Sequence, residues 1–120
     1  MALVLVVDDS PTEQHVISRV LQDHGFETVV ASDGEEAINI AESAHPDIIL
    51  MDVVMPGMNG FQATRQLSKN PVTASIPVVM VTTKDQETDR IWGMRQGAVE
   101  YLMKPVGDDD LVAAVRANLS

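Results

Sequence analysis

Residues 48–52 read Ile48-Ile49-Leu50-Met51-Asp52, four consecutive apolar side chains and then a carboxylate. A strand that is apolar at every position belongs inside a parallel sheet, with helices covering both of its faces. Asp52 then stands at the carboxyl end of that strand. A lone carboxylate leaving water there costs several kcal/mol unless its neighbours compensate it.

Working outward, the pattern recurs. Leu3–Val7 runs into Asp8-Asp9, Val78–Val81 into Thr82-Thr83, and Val99–Met103 into Lys104-Pro105, while Phe26–Ala31 forms a fifth run. The segments between them have helical period and predict helices over 11–24, 35–44, 60–69, 85–96 and 108–119. Ser10-Pro11-Thr12-Glu13 reads as a capping box with proline at the first helical position, and Gly25 ends that helix. Its buried stripe is expected at Val16, Ile17, Val20 and Leu21. The fourth helix is expected to bury Ile91, Met94 and Ala98, which leaves Trp92 among Asp85, Thr88, Arg95 and Gln96. The last opens on Asp108-Asp109-Asp110, favourable at a positive helix end, and is expected to bury Leu111, Val112, Val115 and Leu119.

Five strand–helix pairs with short connections predict a doubly wound α/β fold around a five-stranded parallel sheet. Runs one, three and four are wholly apolar and suit the centre. Run two carries Glu27 and Thr28 and run five carries Glu100, as edges do. The strand order that follows is 2-1-3-4-5.

Composition narrows the function. The 120 residues amount to one domain, 1–120, with no linker or repeat. The absence of cysteine excludes disulfides, thiolate metal sites and cysteine nucleophiles. Eighteen acids against eight scattered bases give a net charge of −10, which argues against direct nucleic-acid binding. Four aromatics, Phe26, Phe61, Trp92 and Tyr101, are too few for a stacking platform. No apolar run approaches the ~20 residues that cross a bilayer, and no basic leader precedes the first run, so a cytoplasmic location is expected.

In such a sheet, ligands gather at the carboxyl ends of the strands. Asp8, Asp9, Asp52, Thr82 and Lys104 all fall there. Three carboxylates against one ammonium leave two net negative charges, which a divalent cation neutralises. An all-oxygen set favours Mg²⁺, with Mn²⁺ as a substitute, over zinc. His15, His24 and His45 fall on helices or before a turn and read as surface residues. A hard cation beside a hydroxyl and an ammonium forms a clamp for a phosphoryl group. No glycine-rich phosphate loop occurs, and Gly57 and Gly60 look like turn residues, so Asp52 remains as a nucleophile able to form an acyl phosphate.

Asp8-Asp9, Asp52 with Met55-Pro56-Gly57-Met58-Asn59-Gly60, Thr82 and Lys104-Pro105 together resemble the receiver domain of two-component response regulators, along the whole chain. Flavodoxin and CheY are the familiar examples of the same strand order, so the fold name is a match to known proteins. The resemblance implies that Asp52 accepts a phosphoryl group from a sensor histidine kinase. It implies direct Mg²⁺ ligation by Asp9, Asp52 and the backbone carbonyl of Val54, with Asp8 acting through water. Lys104 and Thr82 are implied as phosphoryl-stabilising groups, Lys104-Pro105 as a cis peptide, and Thr82 with Tyr101 as a switch pair in which Tyr101 turns inward on phosphorylation.

Asp9-Ser10-Pro11-Thr12-Glu13, Gly60-Phe61-Gln62-Ala63-Thr64-Arg65-Gln66-Leu67 and Thr82-Thr83-Lys84-Asp85-Gln86-Glu87-Thr88-Asp89 further resemble stand-alone receivers of type IV pilus twitching motility. The implied protein is a monomer or weak dimer with no output domain and no turnover substrate, acting by phosphorylation-dependent binding to a downstream protein. Two other functions remain open: a phosphate sink for a shared kinase, and a phosphohydrolase with an aspartyl nucleophile. Against the last, Asp52 is followed by Val53-Val54 rather than by the Asp-x-Asp pattern of that class. Trp92 is either a partner anchor or a ring lying over its neighbours.

Overall fold

The computed structural model describes residues 1–119. Ten elements alternate along the chain: β1 (Leu3–Val7), α1 (Pro11–Asp23), β2 (Glu27–Ala31), α2 (Gly34–Ala44), β3 (Ile48–Met51), α3 (Gly60–Lys69), β4 (Val78–Thr82), α4 (Glu87–Gln96), β5 (Glu100–Met103) and α5 (Asp108–Ala117). The strands are parallel in the order β2-β1-β3-β4-β5, as expected.

Alternate strand residues feed two cores. Leu5, Val7, Ile49, Met51 and Met80 pack with Ala37 and Ala41 of α2 and Ala63 and Leu67 of α3. Val4, Val6, Ile48, Leu50, Val79 and Val81 pack on the other face with Ile17 and Leu21 of α1 and Leu111 and Val115 of α5. A Leu or Ile buried this fully contributes roughly 1.5–3 kcal/mol, so these cores hold the sheet ends at fixed positions.

Local chemistry sets the helix starts. The Ser10 hydroxyl accepts from the Glu13 amide at 3.3 Å and Pro11 follows it. The expected return bond from Glu13 is not made, because the Ser10 amide donates to Asp8 Oδ1 at 2.9 Å. Glu13 instead turns its carboxylate toward Lys104 Nζ, 3.7 Å away. The full capping box lies at α3, where Asn59 and Gln62 exchange bonds of 2.9 Å.

Three helix faces differ from the periodicity. On α1, Ile17 and Leu21 are buried and Val20 partly so, but Val16 is exposed. On α5, Leu111, Val112 and Val115 are buried, while Leu119 lies past the helix end and is only partly covered. The α4 face is turned: Gly93 and Gln96 meet the protein, and Ile91 and Met94 are exposed. Ile91 and Met94, three residues apart, do share a face of α4, but Gly93 and Gly97 share another whose lack of side chains allows close approach to Tyr101 and Ser68, and that is the face that packs. Contacts at Gly93, Gly97 and Gln96 orient the helix instead.

The register aligns the strand exits. Val7 pairs with Met51 and Thr82 with Met103. The Asp52 amide donates to the Val7 carbonyl at 3.0 Å, and the Lys104 amide to the Thr82 carbonyl at 2.8 Å. These bonds carry the ladder one residue past the strands, into the residues that bear the charge.

Candidate functional site

Asp8, Asp9 and Asp52 each offer a carboxylate oxygen, and these atoms all lie within 4.8 Å of one another. Asp8 and Asp52 are buried, at 2 % and 8 % exposure, whereas Asp9 is exposed. Lys104 closes the cluster. Its Nζ donates to Asp8 Oδ2 at 2.6 Å and to Asp52 Oδ2 at 3.4 Å. With Glu13, which the sequence reading left out of the cluster, the ammonium faces three carboxylates.

Asp52 is held by its own backbone, since the Val53 amide donates to its Oδ1 at 2.7 Å. Burial pushes the Asp52 carboxyl above the ordinary aspartate range and the Asp8 charge adds to this; Lys104, the Val53 amide and Thr82 offset part of it. Burial pulls the Lys104 ammonium down, but the Asp8 bond and the charges of Asp52, Asp8 and Glu13 outweigh it, so its pKa is raised. Thr82 is wholly buried at the end of β4, and its hydroxyl accepts from the Lys84 amide at 3.3 Å. The Lys104–Pro105 peptide is cis.

A buried carboxylate flanked by two more, an ammonium and a hydroxyl, at the aligned ends of a 2-1-3-4-5 sheet, is a specific arrangement. The family model of the response regulator receiver domain matches residues 4–116 of this chain. The chain belongs to that family. Among relatives, it is 52 % identical to the protein PilH of Pseudomonas aeruginosa over 120 residues, covering 100 % of this chain and 99 % of PilH. It is 40 % identical over 116 residues to the DNA-binding response regulator MtrA of Mycolicibacterium smegmatis, covering 97 % of this chain and 50 % of MtrA. Among solved structures, the chemotaxis protein CheY4 of Vibrio cholerae superposes with a TM-score of 0.93 at 35 % identity, over 99 % of both chains. Receiver domains are phosphorylated by histidine kinases and act on targets, and phosphorylation on aspartate is general in the family.

The donor set of this receiver fits the Mg²⁺ that receiver domains bind: clustered carboxylates, with no histidine or cysteine in the group. Val54, exposed and following buried Val53, leaves its carbonyl beside the cluster in sequence. Among the described residues no helix is long and apolar enough to cross a membrane.

Besides Glu13, two residues contribute in ways their sequence positions did not give: Gly60, read there as a turn residue, and Gln14, not singled out. Gly60 is the first residue of α3, and a Cβ there would fall 2.0 Å from the Asp52 carbonyl oxygen. Its amide also donates to the Val53 carbonyl at 2.9 Å. Gly60 therefore lets α3 begin against the backbone of Asp52, whereas Gly57, at φ +70°, is the turn residue. Gln14 is the second, with its amide on the Asp8 carbonyl at 2.6 Å. A capping-box reading of Ser10–Glu13 gives no reason to look one residue further.

Tyr101 is half-buried. Its ring stands against Gly93, where a Cβ would approach it to 3.2 Å, and its hydroxyl donates to the Lys84 carbonyl at 2.8 Å. Gly93 leaves room for the ring, and the Lys84 carbonyl supplies the acceptor for its hydroxyl. Burial, then the charges of Asp89, Asp52 and Asp85, push the Tyr101 hydroxyl up to about 12.

Proposed function

We propose that Asp52 is the phosphoryl acceptor of a stand-alone, cytoplasmic receiver served by a sensor histidine kinase. The observation that carries this reading is the meeting of Asp8, Asp9 and Asp52 with Lys104 at bonding distance. Asp9, Asp52 and the Val54 carbonyl would hold Mg²⁺, or Mn²⁺ in its place, and Asp8 would contribute through water. The cation, when bound, neutralises charge on the phosphoryl oxygens.

In the transfer, a carboxylate oxygen of Asp52 forms the new bond to phosphorus while the bond to the donor imidazole nitrogen breaks. The electron pair leaves with the imidazole, which takes up a proton. Lys104, now shared among acids, turns its ammonium to the arriving oxygens, and the Thr82 hydroxyl donates to one of them. This chain then loses the group by hydrolysis and turns over no separate substrate.

The output is protein binding. Ile91, Trp92, Met94, Val99 and Met103 are all large, apolar and exposed within one short stretch of chain, Trp92 at 49 %. Gly97 abuts Ser68 of α3, and Trp92, five residues earlier and so about 140° around α4, points away from α3. Exposed apolar residues in such number suit a partner surface better than a ring lying flat. Likeness to PilH supports a place in type IV pilus twitching motility or a related chemotaxis-like pathway, with this chain a monomer or weak dimer that contacts neither nucleic acid nor membrane.

Incubation with acetyl phosphate, with and without Mg²⁺, followed by intact mass tests the reading. One phosphoryl group is expected only with Mg²⁺, and none on Asp52→Asn. Full labelling of Asp52→Asn overturns the assignment.

A further inference from the structure

Gln14 lies in α1, one residue beyond the capping segment, and reaches the backbone of the acidic cluster. Its Nε2 donates to the Asp8 carbonyl at 2.6 Å and to Ser32 Oγ at 3.0 Å, with the Ala31 carbonyl 3.5 Å away. Both carbonyls only accept, so the nitrogen of the amide, not its oxygen, must face them. The Asp8 amide in turn donates to the Ala31 carbonyl at 3.1 Å. One side chain therefore ties the exits of β1 and β2 to the start of α1.

The carbonyl that Gln14 holds belongs to the peptide joining Asp8 to Asp9. Asp9 is exposed, and among the described residues its carboxylate makes no hydrogen bond, so the direction of that carboxylate is set by the backbone carrying it. We propose that Gln14 is a positioning residue for the carboxylate cluster, holding the Asp8–Asp9 backbone in the arrangement that receives a divalent cation. Without the donor, the β1–α1 loop gains freedom, and ordering it again becomes a cost of cation binding. The inference rests on the Mg²⁺ site proposed above.

Calorimetric titration of Mg²⁺ into wild type, Gln14→Met and Gln22→Met tests it, with melting in EDTA reporting folding separately. Methionine keeps the length and shape of glutamine and removes the donor. Gln14→Met is expected to bind Mg²⁺ about tenfold more weakly, the lower end of what supporting-shell substitutions cost. Its Asp9 amide is also expected to exchange hydrogen faster without metal. Gln22 sits on the same helix and clamps Thr28 Oγ1 at 2.8 Å, remote from the cluster, so Gln22→Met is expected to match wild type. Wild-type affinity in Gln14→Met, or equal weakening in both variants, overturns the inference. If Gln14→Met does not fold, Gln14→Asn, whose shorter amide cannot span the same acceptors, is read by the same criteria. A wild type that binds no Mg²⁺ instead overturns the metal reading itself.

Discussion

Lys104 gives its shortest bond to Asp8, at 2.6 Å, while Asp52 stands 3.4 Å from the same ammonium. The lysine thus compensates the more deeply buried acid and leaves Asp52 the looser partner. Asp52 is the carboxylate whose pKa is raised, and its oxygen is accessible to a donor only if Lys104 does not seal it.

Lys104→Met should therefore destabilise the metal-free protein by about 3 kcal/mol, since it leaves Asp8 and Asp52 buried without their counter-charge. Saturating Mg²⁺ should recover part of the loss. Urea denaturation in EDTA and in Mg²⁺ measures both. A variant as stable as wild type in EDTA contradicts the compensating role.

The raised pKa of Asp52 has a defined sign. The folded protein takes up a proton at Asp52 more readily than the unfolded chain, so ionised Asp52 lowers stability at neutral pH. That cost fades as pH falls through the folded-state pKa. Asp52→Asn should then melt a few degrees higher than wild type at neutral pH in EDTA, with the gap closing in mild acid. Lys104 acts oppositely, its contribution being lost only as pH rises through its own raised pKa. Melting curves across pH decide it, and a gap that widens in acid contradicts the assignment.

Gly60→Ala should cost about 1–3 kcal/mol, because its Cβ meets the Asp52 carbonyl and the Val53 backbone rather than a side chain that can swing away. Displacing that backbone should also lower acetyl phosphate labelling of Asp52. Gly97→Ala, strained by φ +117° but at the far end of α4, should lose stability and keep labelling. Comparable labelling in both variants contradicts the special place of Gly60.

Tyr101→Phe should keep Asp52 labelling and lose about 1 kcal/mol with the bond to the Lys84 carbonyl. In wild type, absorbance should place the midpoint of phenolate formation at about 12, above the ordinary tyrosine value. Trp92→Ala should melt near wild type and weaken phosphorylation-dependent capture of a partner, as should Tyr101→Ala. Unchanged capture in both alanine variants places the output surface elsewhere.

Much of the site was legible because strand exits follow apolar runs. Asp8, Asp9, Asp52, Thr82 and Lys104 could be read as neighbours once the strand order was known, since a parallel sheet puts every exit on one edge. Gln14 and Glu13 were not legible as members. Both belong to α1, and only the packing of that helix decides which side chains turn to the cluster. Val16, Ile91 and Met94 were misjudged for a related reason. Apolar spacing reports which faces can be buried, and on α4 the face that packs carries glycines rather than apolar bulk.

The sequence by itself determined the element order, the central and edge strands and the residues that carry charge at the strand ends, because burial on two faces demands unbroken apolar runs. Only the tertiary structure decided how those charges are shared. Lys104 could have paired with any of four acids, and the Tyr101 hydroxyl could have met any of several acceptors; the outcomes depend on ångström-scale distances set by helix packing. Gly60 against Asp52 and Gly93 against Tyr101 fix such distances through the absence of a side chain. Periodicity cannot register an absence of that kind, because its effect is felt only when another part of the chain arrives.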